Sequence, residues 1–222
     1  MSAASTPPAQ ASACRVTATV GVGGAPLGIA ANRITNTVYV TNETSDTVSV
    51  ISGQTNTVTA TIGVGIVPFA VAVNRKTDTI YVTNSTSGTV SVIDGQTNTV
   101  TATVPIGTHA TDVAINPRTS TVYVTNSGDG TVTVINGRTN TVTATITAGA
   151  SSVAADPKTS TIYTTNGPFG TVSVIDGQTN TVTATVPVGA GPDGVTVNLN
   201  TTTVYTANNI DNTVSVLACG RQ

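Results

Sequence analysis

A chain of 222 residues is long enough for one sizeable core and need not form more than one domain. Hydrophobic residues make up 38%, chiefly Val, Ile and Ala, only 8% of residues are charged, and the formal net charge is −2. With Thr, Asn, Ser and Gly supplying most of the remainder, this is a β composition; no stretch approaches the roughly 20 apolar residues of a membrane-crossing helix, and no 3.6-residue apolar period appears.

Residues 1–13 read as a flexible leader, with no apolar run of the length a signal peptide needs. A single domain is expected over 14–219, followed by a tail at 220–222. The segment VTATV begins at Val16 and Val58, returns at Val100, becomes VTATI at Val142 and is VTATV again at Val182, so its spacings are 42, 42, 42 and 40. YVTN starts at Tyr39, Tyr81 and Tyr123, with YTTN at Tyr163 and YTAN at Tyr205, which accounts for all five tyrosines. A period of this length holding four short strands predicts the blades of a β-propeller. The units start near residues 24, 66, 108, 150 and 190.

The second unit shows the expected strands. Pro68 to Asn74 is the inner one, Thr79 to Asn84 the next, Thr89 to Asp94 the third and Asn98 to Val104 the outer one. The inner strand is apolar on successive residues, as expected when both faces are covered. GQTN joins the third and outer strands as a tight Gly and Asn turn.

The chain opens on an outer-type strand, Val16 to Val20, and runs out after a third-type strand, Thr213 to Leu217. The N-terminal strand is therefore expected to complete the last blade, closing a five-bladed, all-β propeller of four-stranded antiparallel blades without free edges. Aligned on the repeat, Cys219 replaces the Gly of GQTN and Cys14 its Asn. These turn positions have Cα atoms under about 7 Å apart, within reach of a disulfide. A Cys14–Cys219 bond is predicted, together with an oxidising compartment.

YVTN followed by TVSVID and GQTNTVTATV resembles the YVTN-repeat β-propeller proteins, found among bacterial and archaeal exported and surface proteins. The resemblance runs from Arg15 to Ala218. It implies a secreted or cell-surface propeller and brings no shared catalytic set. Members of that family often have seven blades, whereas five are counted here.

The units differ mainly in the connections on one face, the top: Glu43 to Asp46, Ser85 to Gly88, Ser127 to Gly130, Gly167 to Gly170, Asn209 to Asn212 and, most unusual, Thr108 to Asp112. Divergence confined to one face suggests a specialised face. Glu43, Asp46, Asp112, Asp129, Asp193 and Asp211 fall on top, whereas every Lys and Arg falls on or near the bottom. An anionic mouth favours a cation or cationic ligand and disfavours nucleic acid; the basic bottom admits contact with anionic cell-envelope polymers.

His109, the sole histidine, lies three residues before Asp112. The pair admits an acid/base or metal role at the channel mouth, and equally a plain surface loop. Zinc lacks ligands once the cysteines pair. Calcium could draw on Asp112, Asp129 and Asp193, without any EF-hand-like run. No serine-nucleophile elbow and no phosphate loop is present, so no cofactor is evident beyond a divalent cation and enzymatic activity is left open. Phe69 and Phe169, placed in top connections, read as a ligand platform or as a plug of the channel. NET at Asn42, NST at Asn84 and NTT at Asn200 match the glycosylation pattern. The expectation is a monomeric binding or scaffold propeller with any ligand on the top face at Phe69, His109, Asp112, Asp129, Phe169 and Asp193; the alternative is a small exported lyase or hydrolase using His109 and Asp112.

Overall fold

A computed structural model describes residues 15–219 and contains five antiparallel sheets, four of four strands and one of three. Blade one holds β1 (Pro26–Asn32), β2 (Thr37–Asn42), β3 (Thr47–Ser52) and β4 (Thr57–Gly63). Blade two holds β5 (Pro68–Asn74), β6 (Thr79–Asn84), β7 (Thr89–Asp94) and β8 (Thr99–Pro105). Blade three holds β9 (Ala110–Asn116), β10 (Thr121–Asn126), β11 (Thr131–Asn136) and β12 (Thr141–Thr147). Blade four holds β13 (Val153–Asp156), β14 (Thr161–Asn166), β15 (Thr171–Asp176) and β16 (Thr181–Pro187), and blade five β17 (Pro192–Asn198), β18 (Thr203–Asn208) and β19 (Thr213–Ala218). Each blade runs from the inner to the outer strand in sequence order.

Polar side chains at the strand ends fix the bottom turns. At the end of each inner strand the side-chain oxygen of Asn32, Asn74, Asn116, Asp156 or Asn198 accepts the backbone N–H two residues on, at 2.8–3.2 Å. This Asx turn reverses the chain at once. In the GQTN turns Asn56, Asn98, Asn140 and Asn180 sit at φ of 56°, 54°, 55° and 57°. Asn is the non-glycine residue best suited to that left-handed conformation.

The YVTN motif supplies three different connections. Its Tyr is buried between blades: the hydroxyls of Tyr81 and Tyr123 donate to the carbonyls of Gly137 and Gly177 in the outer turn of the following blade. Its Thr ties neighbouring inner strands. Thr41 Oγ1 accepts from Gly28 N at 2.7 Å and donates to Phe69 O at 2.9 Å, and Thr165 Oγ1 accepts from Ser152 N at 3.0 Å and donates to Asp193 O at 2.9 Å. Its Asn clamps the top loop from inside, as when Asn84 Nδ2 donates to Thr89 Oγ1 and Ser91 Oγ. Asn42 and Asn84 are fully buried in this role, so two of the three glycosylation matches are unreachable in the folded chain.

Four apolar seams join five blades. In each, the trailing face of one blade, such as Tyr39, Val48, Val50 and Ile62, packs on the leading face of the next, such as Ile80, Val82 and Ile93. The same positions recur in the seams between blades two and three, three and four, and four and five. No comparable packing joins β17 or β18 to β1. Tyr205, Val214 and Val216, which carry the trailing face of blade five, are 37%, 60% and 62% exposed. Ile29, on the inner strand of blade one, is 70% exposed.

The five sheets make the expected five-bladed, all-β propeller, but the fourth strand of its last blade is missing among the described residues, which corrects the expected closure. Val16 to Val20 forms no strand, and β19 has no fourth partner among the described residues. The entry into blade one nevertheless repeats the entry into blade two: a Cβ at Gly23 would meet the Asn42 side chain, as one at Gly65 would meet Asn84. The Cys14–Cys219 pairing falls outside the described residues, because Cys14 does; Cys219 itself is half-buried beside Tyr163.

Candidate functional site

The second residue of the inner strand, or its repeat equivalent, is Leu27, Phe69, Thr111, Ser151 and Asp193 in successive blades. It follows the top connection, where β-bulges interrupt the ladder between Pro26 and Ile29, Pro68 and Val71, and Pro192 and Gly194. A bulge re-aims side chains at a sheet end. Here four of these five residues line a cavity of about 480 Å³ at the top of the channel: Phe69, Thr111, Ser151 and Asp193, together with Asp112, Ser127, Ser152 and Gly194.

The six residues expected to bind ligand divide between two depressions. Phe69, Asp112 and Asp193 meet in the channel mouth. Asp129 and Phe169 line a neighbouring groove of about 250 Å³ between blades three and four. Ser127 and Ser151 border both. His109 lines neither; it sits exposed at φ 51°, its backbone carbonyl accepting from Ser127 N and Ser127 Oγ.

His109 and Asp112 do not act as a hydrogen-bonded pair. One oxygen of Asp112 accepts Val113 N at 2.8 Å, and the other accepts Ser152 Oγ at 2.6 Å and Val153 N at 3.0 Å. The carboxylate therefore ties blade three to blade four at the rim. The acid that feels His109 is Asp129. Its carboxylate accepts Thr108 Oγ1 at 2.6 Å and Thr108 N at 2.7 Å. Those two bonds, with the charge of His109 adding to them, hold the Asp129 carboxyl below the usual carboxylate range. Among the described residues no three His, Cys, Asp or Glu side chains gather closely enough to hold a metal ion, so Asp112, Asp129 and Asp193 form no common cation site.

The two phenylalanines need a second correction. Phe69 lies within β5, half-buried at the channel, whereas Phe169 ends the 3-10 turn at Gly167–Phe169 and is 77% exposed. They line separate depressions and form neither a joint platform nor a joint plug. Sequence reasoning missed the hydroxyl lining, Thr111, Ser127, Ser151 and Ser152. Its signal was the repeat register, in which Thr111 and Ser151 align with Phe69 and Asp193.

No family model matches the chain, and no curated protein matches it. Among solved structures it is similar to a chain of the Kuenenia stuttgartiensis hydrazine synthase, with 21% identity and a TM-score of 0.77 over 88% of this chain. This chain spans 58% of the length of that one, and at such identity the likeness is one of fold alone.

Proposed function

We propose that the protein is a secreted or cell-surface binding propeller of the YVTN-repeat type, taking a small, hydroxyl-rich, cationic ligand in the top mouth of its channel. The observation that carries this reading is the convergence there of one aromatic face, Phe69, a carboxylate, Asp193, and the hydroxyls of Thr111, Ser127, Ser151 and Ser152. Aromatic faces bind the apolar face of a sugar ring, hydroxyls exchange hydrogen bonds with its substituents, and a carboxylate selects a positive charge. Asp193 makes no side-chain bond within the protein among the described residues, in contrast to Asp112, whose oxygens are engaged. Its negative charge is therefore the one free to meet a ligand. The sparse charge of the chain and its two cysteines at matching turn positions support export.

The reading is tested by titrating glucosamine and, in parallel, glucose, while following the thermal midpoint, since a ligand of the native state raises it by mass action. A saturable rise with glucosamine, smaller with glucose and lost in Phe69→Ala and Asp193→Asn, is the expected result. No saturable rise with either sugar would overturn the ligand class and leave a scaffold.

A further inference from the structure

The opposite end of the channel holds a second cavity, of about 420 Å³, to which every blade contributes. Its apolar wall includes Val73 and Ile115 from the ends of the inner strands, with Ile34 and Leu199 from the bottom turns of blades one and five. The Asx turns make this wall. Because Asn74 and Asn116 cap the backbone two residues on, the chain folds back beside the channel axis directly after Val73 and Ile115.

Arg75 and Lys76 line the same cavity, both exposed and neither with a carboxylate partner among the described residues. Two more cations stand on the adjoining turns, with Arg118 Nη1 donating to Pro157 O and Lys158 Nζ to Leu199 O. Neither of two acids on the bottom turns pairs with these cationic side chains among the described residues: Asp78 accepts Asn32 Nδ2 at 2.6 Å, and buried Asp156 accepts Lys158 N at 2.8 Å. The result is a greasy cup with unpaired positive charge at its edge, opposite in character to the hydroxylated, acidic top mouth. The volume lies in the roughly 300–1,000 Å³ range of small-molecule sites.

We propose that this bottom mouth binds a single-chain anionic amphiphile, its aliphatic tail among Ile34, Val73, Ile115 and Leu199 and its acidic head on Arg75 and Lys76. The tail loses water contact in the cup, and the head gains charge-assisted hydrogen bonds.

The test is calorimetric titration of the full chain with monomeric dodecanoate, with dodecyltrimethylammonium carrying the same tail, acetate carrying only the head, and phosphatidylglycerol vesicles as a membrane source of the same chemistry. Saturable binding of one dodecanoate is expected, with dodecyltrimethylammonium and acetate each at least about tenfold weaker. The Arg75→Ala/Lys76→Ala variant should weaken dodecanoate by about tenfold or more while its thermal midpoint holds; if that pair does not fold, Lys76→Gln alone should still weaken it. Equal affinity for both head charges, indifference to the variants, or binding to vesicles without binding to dodecanoate would overturn the proposal.

Discussion

The hydroxyl of Tyr81 donates to the carbonyl oxygen of Gly137 across 3.2 Å, linking the second blade to the outer turn of the third. Tyr39 occupies the same repeat position in blade one, yet its hydroxyl is buried without a partner. A buried hydrogen bond contributes about 1 kcal/mol, whereas an unpartnered buried hydroxyl contributes nothing favourable. Tyr81→Phe is therefore expected to lower stability by about 1 kcal/mol and Tyr39→Phe to leave it unchanged or raise it. Urea unfolding of both variants checks this, and equal losses would contradict it.

The Thr of the motif is fully buried at Thr165, and its hydroxyl is expected to be costly to lose. Thr165→Val keeps the shape but strands both Ser152 N and Asp193 O, which the hydroxyl now serves. A loss of about 1–3 kcal/mol follows from leaving these two part-buried groups unsatisfied. Thermal unfolding of Thr165→Val beside Thr165→Ser, which retains the hydroxyl, separates the hydrogen bonds from the methyl packing.

In the outer turn of blade two, Asn98 holds φ at 54°. Asn98→Gly should be nearly neutral, because glycine adopts that conformation freely. Asn98→Val should cost about 1–2 kcal/mol, because a β-branched side chain crowds the backbone there. A smaller loss in the valine variant than in the glycine variant, measured by denaturant titration, would show that the turn is not held in this conformation.

Burial, with the charges of Asp78 and Asp94 adding to it, pushes the Tyr39 phenol up from 10.0 to about 12; burial also raises Tyr81, Tyr123 and Tyr163. A raised folded-state pKa stabilises fully below the unfolded value, and that contribution disappears as pH climbs through the folded one. Stability should accordingly fall between about pH 10 and pH 12. Tyrosinate absorbance followed together with circular dichroism should show these four phenols ionising only as the fold gives way. Their ionisation near pH 10 with the fold intact would refute the seam packing.

A Cys14–Cys219 bond predicts no reactive thiol in protein purified without reductant. Alkylation followed by intact-mass measurement reads this directly. Reduction should then destabilise the chain by up to roughly 5 kcal/mol, the chain-entropy figure for so long a loop. Two labelled thiols in protein kept oxidised would remove the pairing and the strongest support for export.

The strands were legible because each carries its own punctuation. Pro68 to Asn74, Thr79 to Asn84 and Thr89 to Asp94 are placed by the turn residues between them and by their apolar content, and the structure has the same bounds. The five blades followed from the repeat. What the repeat did not carry was which blade faces are covered: Tyr39 packs in one cluster with Ile80 and Ile93, whereas the equivalent face of blade five stays exposed. The closing strand at Val16 to Val20, expected from the same repeat, is not formed among the described residues. The same gap explains the site. Phe69, Asp112 and Asp193 were found from residue type, but their separation from His109, Asp129 and Phe169 is set by the bulges and by the Asp112 bonds to Ser152 and Val153. The bottom cup is not legible in the sequence, because its turns vary little between units and only the folded ring brings Ile34, Val73, Ile115 and Leu199 together.

The four seams repeat one set of apolar positions, and the trailing face of blade five offers the same set again. No seam therefore records how many others there are. Gain or loss of one whole unit by unequal recombination leaves every surviving joint chemically unchanged, so blade number can drift by integers under little selective resistance. A lineage built on this repeat can widen or narrow its channel in single genetic steps, while its individual strands hardly change.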